Sequence, residues 1–490
     1  MSDVTATTGD LAAEVRETHT GVVVLLGGRA YKAKKPVVTD FLDFSTAARR
    51  ECACRKEVSL NKRLAPDSYL GVAYYSDERG GPAEPVIVMR RHPDVTRLAS
   101  LVRSGQPVHE HLRAIAEVLA RFHVKAQRGA AIDAQATVDA VWARWTQNLE
   151  ELEKHADEIV SLDSVREARR LAGQFVEGRK ALFTQRITER RIVDGHADLL
   201  ADDIFCLPEG PALLDCLEFD DRLRYVDGVD DAAFLAMDLE YLGRRDFADY
   251  FLDQYTQISE DPAPDSLVDF YIAYRALVRA KVDCVRVAQG HSDAAADARR
   301  HVDLALDHLK AGTVRLILVG GGPGTGKSTL STALAGNIGA QVISTDDIRR
   351  QLQDAGVVSG AVGDLDSGLY SPKNVAAVYD EVLRRAHVHL SSGHSAILDG
   401  TWRDEGHRDR ARELSRLISV PIVELNCAVT IAEASSRVEH RPRSNSDATP
   451  EIAVALAGAG RLCCDAHDID TGRPLADSVR EAQQICCLAI

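Results

Sequence analysis

Residues 315–329, Arg-Leu-Ile-Leu-Val-Gly-Gly-Gly-Pro-Gly-Thr-Gly-Lys-Ser-Thr, set a Gly-x-x-x-x-Gly-Lys-Ser loop directly behind an apolar run. The run reads as a buried strand, and the loop as one that wraps a polyphosphate. Gly321, Gly324 and Gly326 let the backbone curl close to anionic oxygens, with Gly322, Pro323 and Thr325 completing the turn and Thr329 following it. Successive N–H groups and the next helix N-terminus then face the phosphates. Lys327 is placed to reach the β- and γ-phosphates of a bound ATP, and Ser328 to ligate Mg²⁺. Losing Lys327 is expected to cost about 3 kcal/mol of transition-state stabilisation.

Working downstream, a helix to about Asn337 leads into a strand over 341–347 that ends in Asp346 and Asp347. Ligands sit at the carboxyl ends of strands in open α/β sheets, so Asp346 is a candidate general base toward a substrate hydroxyl. The strand 395–399 ends in Asp399, which looks like the carboxylate that helps hold Mg²⁺, directly or through water. Arg437, just before a Ser/Arg/Asp-rich stretch at 441–448, and Arg441 and Arg443, which open it, read as a lid over the γ-phosphate or as a solvated basic turn. Neither an Asn-Lys-x-Asp guanine signature nor a transporter Leu-Ser-Gly-Gly-Gln signature is present. The Ser-Thr-Asp-Asp-Ile-Arg and Leu-Asp-Gly-Thr-Trp segments resemble small P-loop kinases of the gluconate kinase, zeta toxin and polynucleotide kinase type.

Upstream, residues 194–221 carry a second acidic constellation, with Asp198, Asp203 and Asp215 around two apolar stretches that flank Pro208-Glu209-Gly210. A hairpin symmetric about Glu209 would set Asp203 opposite Asp215 and gather three carboxylates, which repel unless cations occupy the site. Two hard oxygen ligands suit Mg²⁺. The spacing His-x-Asp-x-x-x-x-Asp, then hairpin and Asp, resembles the catalytic loop of protein kinases and aminoglycoside phosphotransferases. That resemblance implies Asp198 as base or substrate-orienting group, Asp203 and Asp215 as metal ligands, and His196 as a loop-holding residue. Ala197 replaces the common Gly and is expected to keep an ordinary backbone conformation; Asp203 replaces the common Asn.

Residues 21–38 read as two strands joined by Gly27-Gly28, and 85–90 as a third. Arg29-Ala30-Tyr31-Lys32 parallels the kinase strand that carries the phosphate-binding lysine, with Lys34 on the same face as the fallback and Glu57 as ion-pair partner. Residues 108–310 read as largely helical, broken by one β segment at 204–215; His123 reads as a packed, hydrogen-bonded histidine.

These parts together resemble the bacterial bifunctional aminoglycoside phosphotransferase/ATP-binding group over nearly the whole chain. The fold implied is α/β and α+β: a two-lobed kinase-like domain at 1–310 (small lobe about 1–100, helical lobe about 101–310), then a P-loop domain with a parallel sheet at 311–490. The activity implied is ATP- and Mg²⁺-dependent phosphotransfer to a small polar acceptor. A nucleotide-binding regulator with one degenerate domain, and a polynucleotide kinase-like enzyme, are the alternatives. With 490 residues, 45% of them hydrophobic and 27% charged, the chain has ordinary globular composition, which excludes a disordered or fibrous protein. The formal charge of −15 disfavours nucleic acid. No apolar run of membrane-spanning length and no leader pattern appears, so a cytoplasmic location is expected. Ten scattered cysteines, none at Cys-x-x-Cys spacing, read as reduced and structural. No pattern speaks for a particular oligomeric state.

Overall fold

The computed structural model describes residues 13–17, 21–38, 43–76, 83–361, 367–440 and 466–490. Arg441, Arg443 and the 441–448 stretch lie outside the described residues.

The first lobe holds β1 (Glu14–Glu17), β2 (Gly21–Leu26), β3 (Arg29–Lys34), α1 (Ala47–Asn61), β4 (Tyr69–Tyr75) and β5 (Glu84–Arg90). Its strands form one antiparallel sheet in the order β1-β2-β3-β5-β4. Leu26 pairs with Arg29, which leaves Gly27-Gly28 as a two-residue loop, and Gly27 takes φ 54° there. The second strand, expected to reach Val38, ends at Lys34 because Pro36 has no N–H for the ladder. The periodicity also passed over β1, whose Glu-Val-Arg-Glu side chains are mostly exposed and carry no apolar alternation, and β4, which glycine and tyrosines blur.

The second lobe runs through α2 (Leu98–Arg103), α3 (His109–Lys125), α4 (Ala130–Asp133), α5 (Val138–Glu153), α6 (Leu162–Gly178), α7 (Lys180–Thr188), β6 (Ile192–Asp194), β7 (Ile204–Leu207), β8 (Gly210–Leu213), α8 (Asp221–Arg224), β9 (Tyr225–Asp227), α9 (Gly228–Tyr241), α10 (Arg245–Ser259), α11 (Asp265–Ala288) and α12 (Ala294–Ala311). Apolar helix faces meet in one core around Trp145, Phe234, Phe251 and Phe270. Each such side chain contributes about 1.5–3 kcal/mol on burial. The β content exceeds the single expected segment, since β6 pairs with β9 as well as β7 with β8. The β7–β8 hairpin packs Phe205, Ala212 and Leu214 into the first lobe's core beside Cys54, Tyr69 and Ile87. It therefore lies where the two lobes meet.

The remainder is β10 (Leu316–Gly320), α13 (Lys327–Ile338), β11 (Gln341–Ser344), α14 (Thr345–Asp354), α15 (Pro372–Ser391), β12 (Ala396–Asp399), α16 (Glu405–Leu417), β13 (Ile422–Ala428), α17 (Ile431–Glu439), β14 (His467–Asp470) and a helix over Leu475–Leu488. All five strands are parallel, in the order β11-β12-β10-β13-β14. Central β10 is covered on both faces: Leu316 and Leu318 enter one core, Ile317 and Val319 the other. That double burial is why it reads as an unbroken apolar run.

Arg179, between α6 and α7, joins this unit to the helical lobe. Its guanidinium donates to the carbonyls of Leu390, Ile418 and Ser419, each at 3.2 Å, and is only 2% exposed. Gly178 beside it has no room for a side chain, because a Cβ would lie 2.1 Å from the Ile418 carbonyl oxygen. Ser266 donates to the Gly393 carbonyl at 2.6 Å across the same boundary. Among the described residues no helix is long and apolar enough to cross a membrane. The eight cysteines among them are all free thiols.

Candidate active sites

The first site forms where β3, α1 and the β7–β8 hairpin converge. Side-chain alternation along β3 puts Lys32 and Lys34 on one face, and α1 brings Glu57 beneath them, fully buried. Lys32 lies 2.8 Å from Glu57 Oε1, and Lys34 lies 2.5 Å from Oε2. Lys34 thus joins Lys32 at Glu57, as a second partner of one carboxylate. Lys34 is also paired with Glu218. Lys32 reaches Asp215 at 2.6 Å. Burial opposes the Lys32 charge, but Asp215 and Glu57 outweigh it and hold its pKa well above the usual value.

The hairpin register differs by one residue from symmetry about Glu209. Ile204 pairs with Leu213, and Leu214, not Asp215, bonds back to Asp203 through its N–H at 3.0 Å. The loop closes with Pro208-Glu209 alone, which shifts the symmetry point. Asp215 follows in a left-handed conformation, φ 65°, with its N–H donating to the Tyr69 hydroxyl at 3.3 Å. The Cys216 N–H is held by Asn61 Oδ1 at 2.9 Å. Burial and the neighbouring Asp215 and Asp198 push the Asp203 carboxyl well up, whereas Lys32 holds Asp215 down. This mutual repulsion is the electrostatic condition a cation relieves. Asp198, Asp203 and Asp215 do not close into a cage, since no group of three or more His, Cys, Asp or Glu side chains converges in ligating geometry among the described residues. Two carboxylates fit Mg²⁺, which keeps several non-protein ligands.

Asp198 sits on a loop fixed from below. His196 is fully buried; its Nε2 lies 3.0 Å from the Leu214 carbonyl, and its Nδ1 accepts the Asp198 N–H at 3.3 Å. Those partners require a neutral ring protonated on Nε2, and burial lowers its pKa accordingly. The Asp231 carboxylate accepts the N–H groups of both His196 and Ala197 at 2.7 Å. Ala197 does not keep an ordinary conformation: it takes φ 68°, a left-handed state that costs about 1–2 kcal/mol for a residue with a Cβ. The Asp231 bonds hold it there. His123 is buried and hydrogen-bonded, between the Tyr255 hydroxyl at 2.7 Å and Asp231 at 3.0 Å. Burial pushes the Asp198 carboxyl up to about 6, within reach of neutral pH for a proton acceptor.

Asp231, Asn61, Tyr69 and Glu218 were missed in the sequence. Asp230-Asp231 did leave a signal, two acids inside the apolar run of α9, where a carboxylate persists only with dedicated partners.

The second site lies at the carboxyl ends of β10, β11 and β12. Gly324 takes φ 78°, and a Cβ there would sit 2.3 Å from the Ala434 carbonyl oxygen, so α17 rests directly on the loop. Thr325 donates to Gly322 O at 2.9 Å and Lys327 to the same oxygen at 2.8 Å. Ser328 donates to Asp399 Oδ2 at 2.6 Å, while Ser328 and Thr329 are open to solvent. Asp399 is buried, and burial raises its pKa against the pull of Lys327 and Ser328. A hydroxyl and a carboxylate side by side behind a phosphate loop fit Mg²⁺ held between protein and nucleotide.

Asp346 is not the last residue of a strand. β11 stops at Ser344, which caps α14, and Asp346 lies in the first helical turn. There it pairs with Arg349 at 2.7 Å, and its charge adds to the upward shift of the Asp399 carboxyl. Arg437 pairs with Glu433 at 2.5 Å and donates to Thr471 O at 2.9 Å, and Thr471 in turn donates to Thr325 O at 2.7 Å. Arg437 is therefore tied to the loop's flank.

A glycine-rich loop between a central parallel strand and a helix defines a P-loop nucleotide-binding domain, and residues 316–458 match the AAA domain family. The chain belongs to the family of the uncharacterized protein Rv2004c of Mycobacterium tuberculosis (strain ATCC 25618 / H37Rv), to which it is 59% identical over 477 residues, 97% of this chain and 96% of that one. It is similar in structure to a choline/ethanolamine kinase family protein from Mesorhizobium loti, at 15% identity over 62% of this chain and 94% of that chain, TM-score 0.37. It is also similar to a gluconokinase from Sinorhizobium meliloti 1021, at 20% identity over 35% of this chain and 92% of that chain, TM-score 0.27. The fold combines a lobe built on an antiparallel five-stranded sheet and a helical lobe with a P-loop domain on a parallel five-stranded sheet.

Proposed function

We propose that this chain is an ATP- and Mg²⁺-dependent phosphotransferase with two transfer sites, each acting on a hydroxyl of a small polar molecule. The arrangement of Lys32 between Glu57 and Asp215, with Asp198 on a rigid loop nearby, carries the reading for the first site. Lys32 would bind the nucleotide phosphates, and Asp203 and Asp215 would hold Mg²⁺, which when bound neutralises phosphate charge. Asp198 would accept the acceptor's hydroxyl proton as the new O–P bond forms and the bond to the leaving ADP breaks. At the second site Lys327 would contact phosphate, Ser328 and Asp399 would hold Mg²⁺, and Asp346 would face the acceptor.

The regulatory alternative requires that Ala197, in place of the common Gly, mark a degenerate loop. Its left-handed conformation, held by Asp231, supports an intact loop instead. The net charge of −15 supports a small acceptor over a polynucleotide. ADP release from full-length protein, from Lys327→Ala, from Asp198→Asn and from the double variant tests the reading. Each single variant is expected to keep the other site's turnover and the double variant to lose both; equal turnover in all four would sink it.

A further inference from the structure

The arginines buried around the Asp198 loop close on carboxylates. Arg275 reaches Asp230 at 2.7 Å and the Ala197 carbonyl at 3.3 Å. Arg186 holds Asp227 bidentately at 2.7 and 2.6 Å. Arg224 reaches Asp194 at 2.8 Å. Arg279 is the exception. It lies one turn after Arg275, which reaches the Ala197 carbonyl, on the same face of α11. Its charge acts on both Asp198 and Asp238, and Asp238 is already engaged by the Ala201 N–H at 2.8 Å. Arg279 is half-buried, yet among the described residues no side-chain hydrogen bond and no ion pair within 4 Å engages its guanidinium.

A guanidinium kept partly out of water without a partner leaves up to five donors unused. Arginines that serve the packing of this lobe close on carboxylates, as Arg275 does, or on backbone carbonyls, as Arg179 does. One left open beside the proton-accepting Asp198 has the geometry of a ligand-reading group, since a planar fork suits a carboxylate or phosphate.

Resting on the phosphotransfer reading of the first site, we infer that the acceptor there is a hydroxyl compound that carries an oxyanion, a carboxylate or phosphate, which Arg279 binds while Asp198 takes the hydroxyl proton. The acceptor class is thus acidic, in contrast to a polycationic amino sugar.

The test uses the full-length chain carrying Lys327→Ala, so that only the first site turns over. D-gluconate, glycerol 3-phosphate, D-glucose and D-glucosamine are compared both as acceptors, by ADP release, and as ligands, by calorimetry. An acidic compound is expected to bind at least about tenfold more tightly than its neutral or amino counterpart, with gluconate and glycerol 3-phosphate separating carboxylate from phosphate recognition. Adding Arg279→Ala is expected to raise the KM of the acidic acceptor about 10- to 100-fold with kcat changed less than threefold, and Arg279→Lys to recover part of the loss. Preferred binding of glucose or glucosamine, binding of none of the four, or an acidic ligand indifferent to Arg279→Ala overturns the inference. Arg279-dependent binding of an acid without any phosphoryl transfer would leave the anion site standing and remove the phosphotransfer reading instead.

Discussion

Asp231 holds Ala197 in a left-handed conformation by accepting its N–H at 2.7 Å, and it accepts the N–H of His196 at the same distance. Burial opposes the charge of Asp231, but His123 and these bonds hold its pKa well below the usual carboxylate range. One buried carboxylate thereby sets the backbone that presents Asp198. Asp231→Ala, which leaves two buried N–H groups and His123 without their acceptor, is expected to destabilise the protein by about 3–5 kcal/mol in denaturant unfolding. Ala197→Gly should be nearly neutral, because relief of about 1 kcal/mol of strain is offset by the added chain entropy of glycine. A Gly variant that unfolds like Asp231→Ala would contradict this account.

The pH profile of the first site follows from Asp198. Its pKa is raised to about 6 by burial, above the value near 3.9 of an unfolded chain. Between about pH 4 and 6 the folded state therefore binds more protons than the unfolded one, and the group's contribution to stability falls as pH rises through that window. Activity moves the other way, because the base must be ionised. In the Lys327→Ala background, kcat/KM is expected to rise tenfold per pH unit below about pH 6 and to level off above it. Asp198→Asn should abolish that acid limb along with most of the rate.

At the P-loop, Lys327 makes one hydrogen bond, to the Gly322 carbonyl, and so contributes little to stability. Lys327→Ala in an Asp198→Asn background is expected to cut the remaining turnover by about 10²- to 10³-fold. Its thermal midpoint should stay within about 3 °C of the parent, since a half-buried lysine with one side-chain hydrogen bond contributes about 1 kcal/mol or less.

Arg179 sits where the carboxyl ends of α15 and α16 meet the helical lobe, and five carbonyls, two from α6 and three across the boundary, surround its charge with no carboxylate among them. Burial lowers its pKa to about 10, and the negative ends of the two helix dipoles compensate. Arg179→Met should cost about 2–4 kcal/mol, as it strands those carbonyls in a dry interface. Calorimetry is expected to show a single endotherm in the parent and two resolved transitions in the variant. A single unshifted transition would show that the boundary is held elsewhere.

Local patterns served well where local rules decide structure. Gly27-Gly28 between two strand-like runs marked the β2–β3 hairpin, and the helical reading of 108–310 covers α3. The patterns failed where distant residues decide it. The hairpin after Asp203 is one residue out of the expected register because packing of Phe205, Ala212 and Leu214 into the first lobe selects the turn. The polar edge strand β1 forms because β2 offers it a partner.

By itself the amino-acid sequence determined that residues 321–328 form a phosphate loop behind a central strand, and that acidic side chains cluster near Asp198, because glycine spacing and apolar periodicity act over a few residues. Only the tertiary structure decided that Lys32 and Lys34 share Glu57, that Ala197 is held left-handed, and that Arg279 stays open beside Asp198. Those relations join residues far apart in the chain, and a buried charge takes its partner from the lobes packed around it.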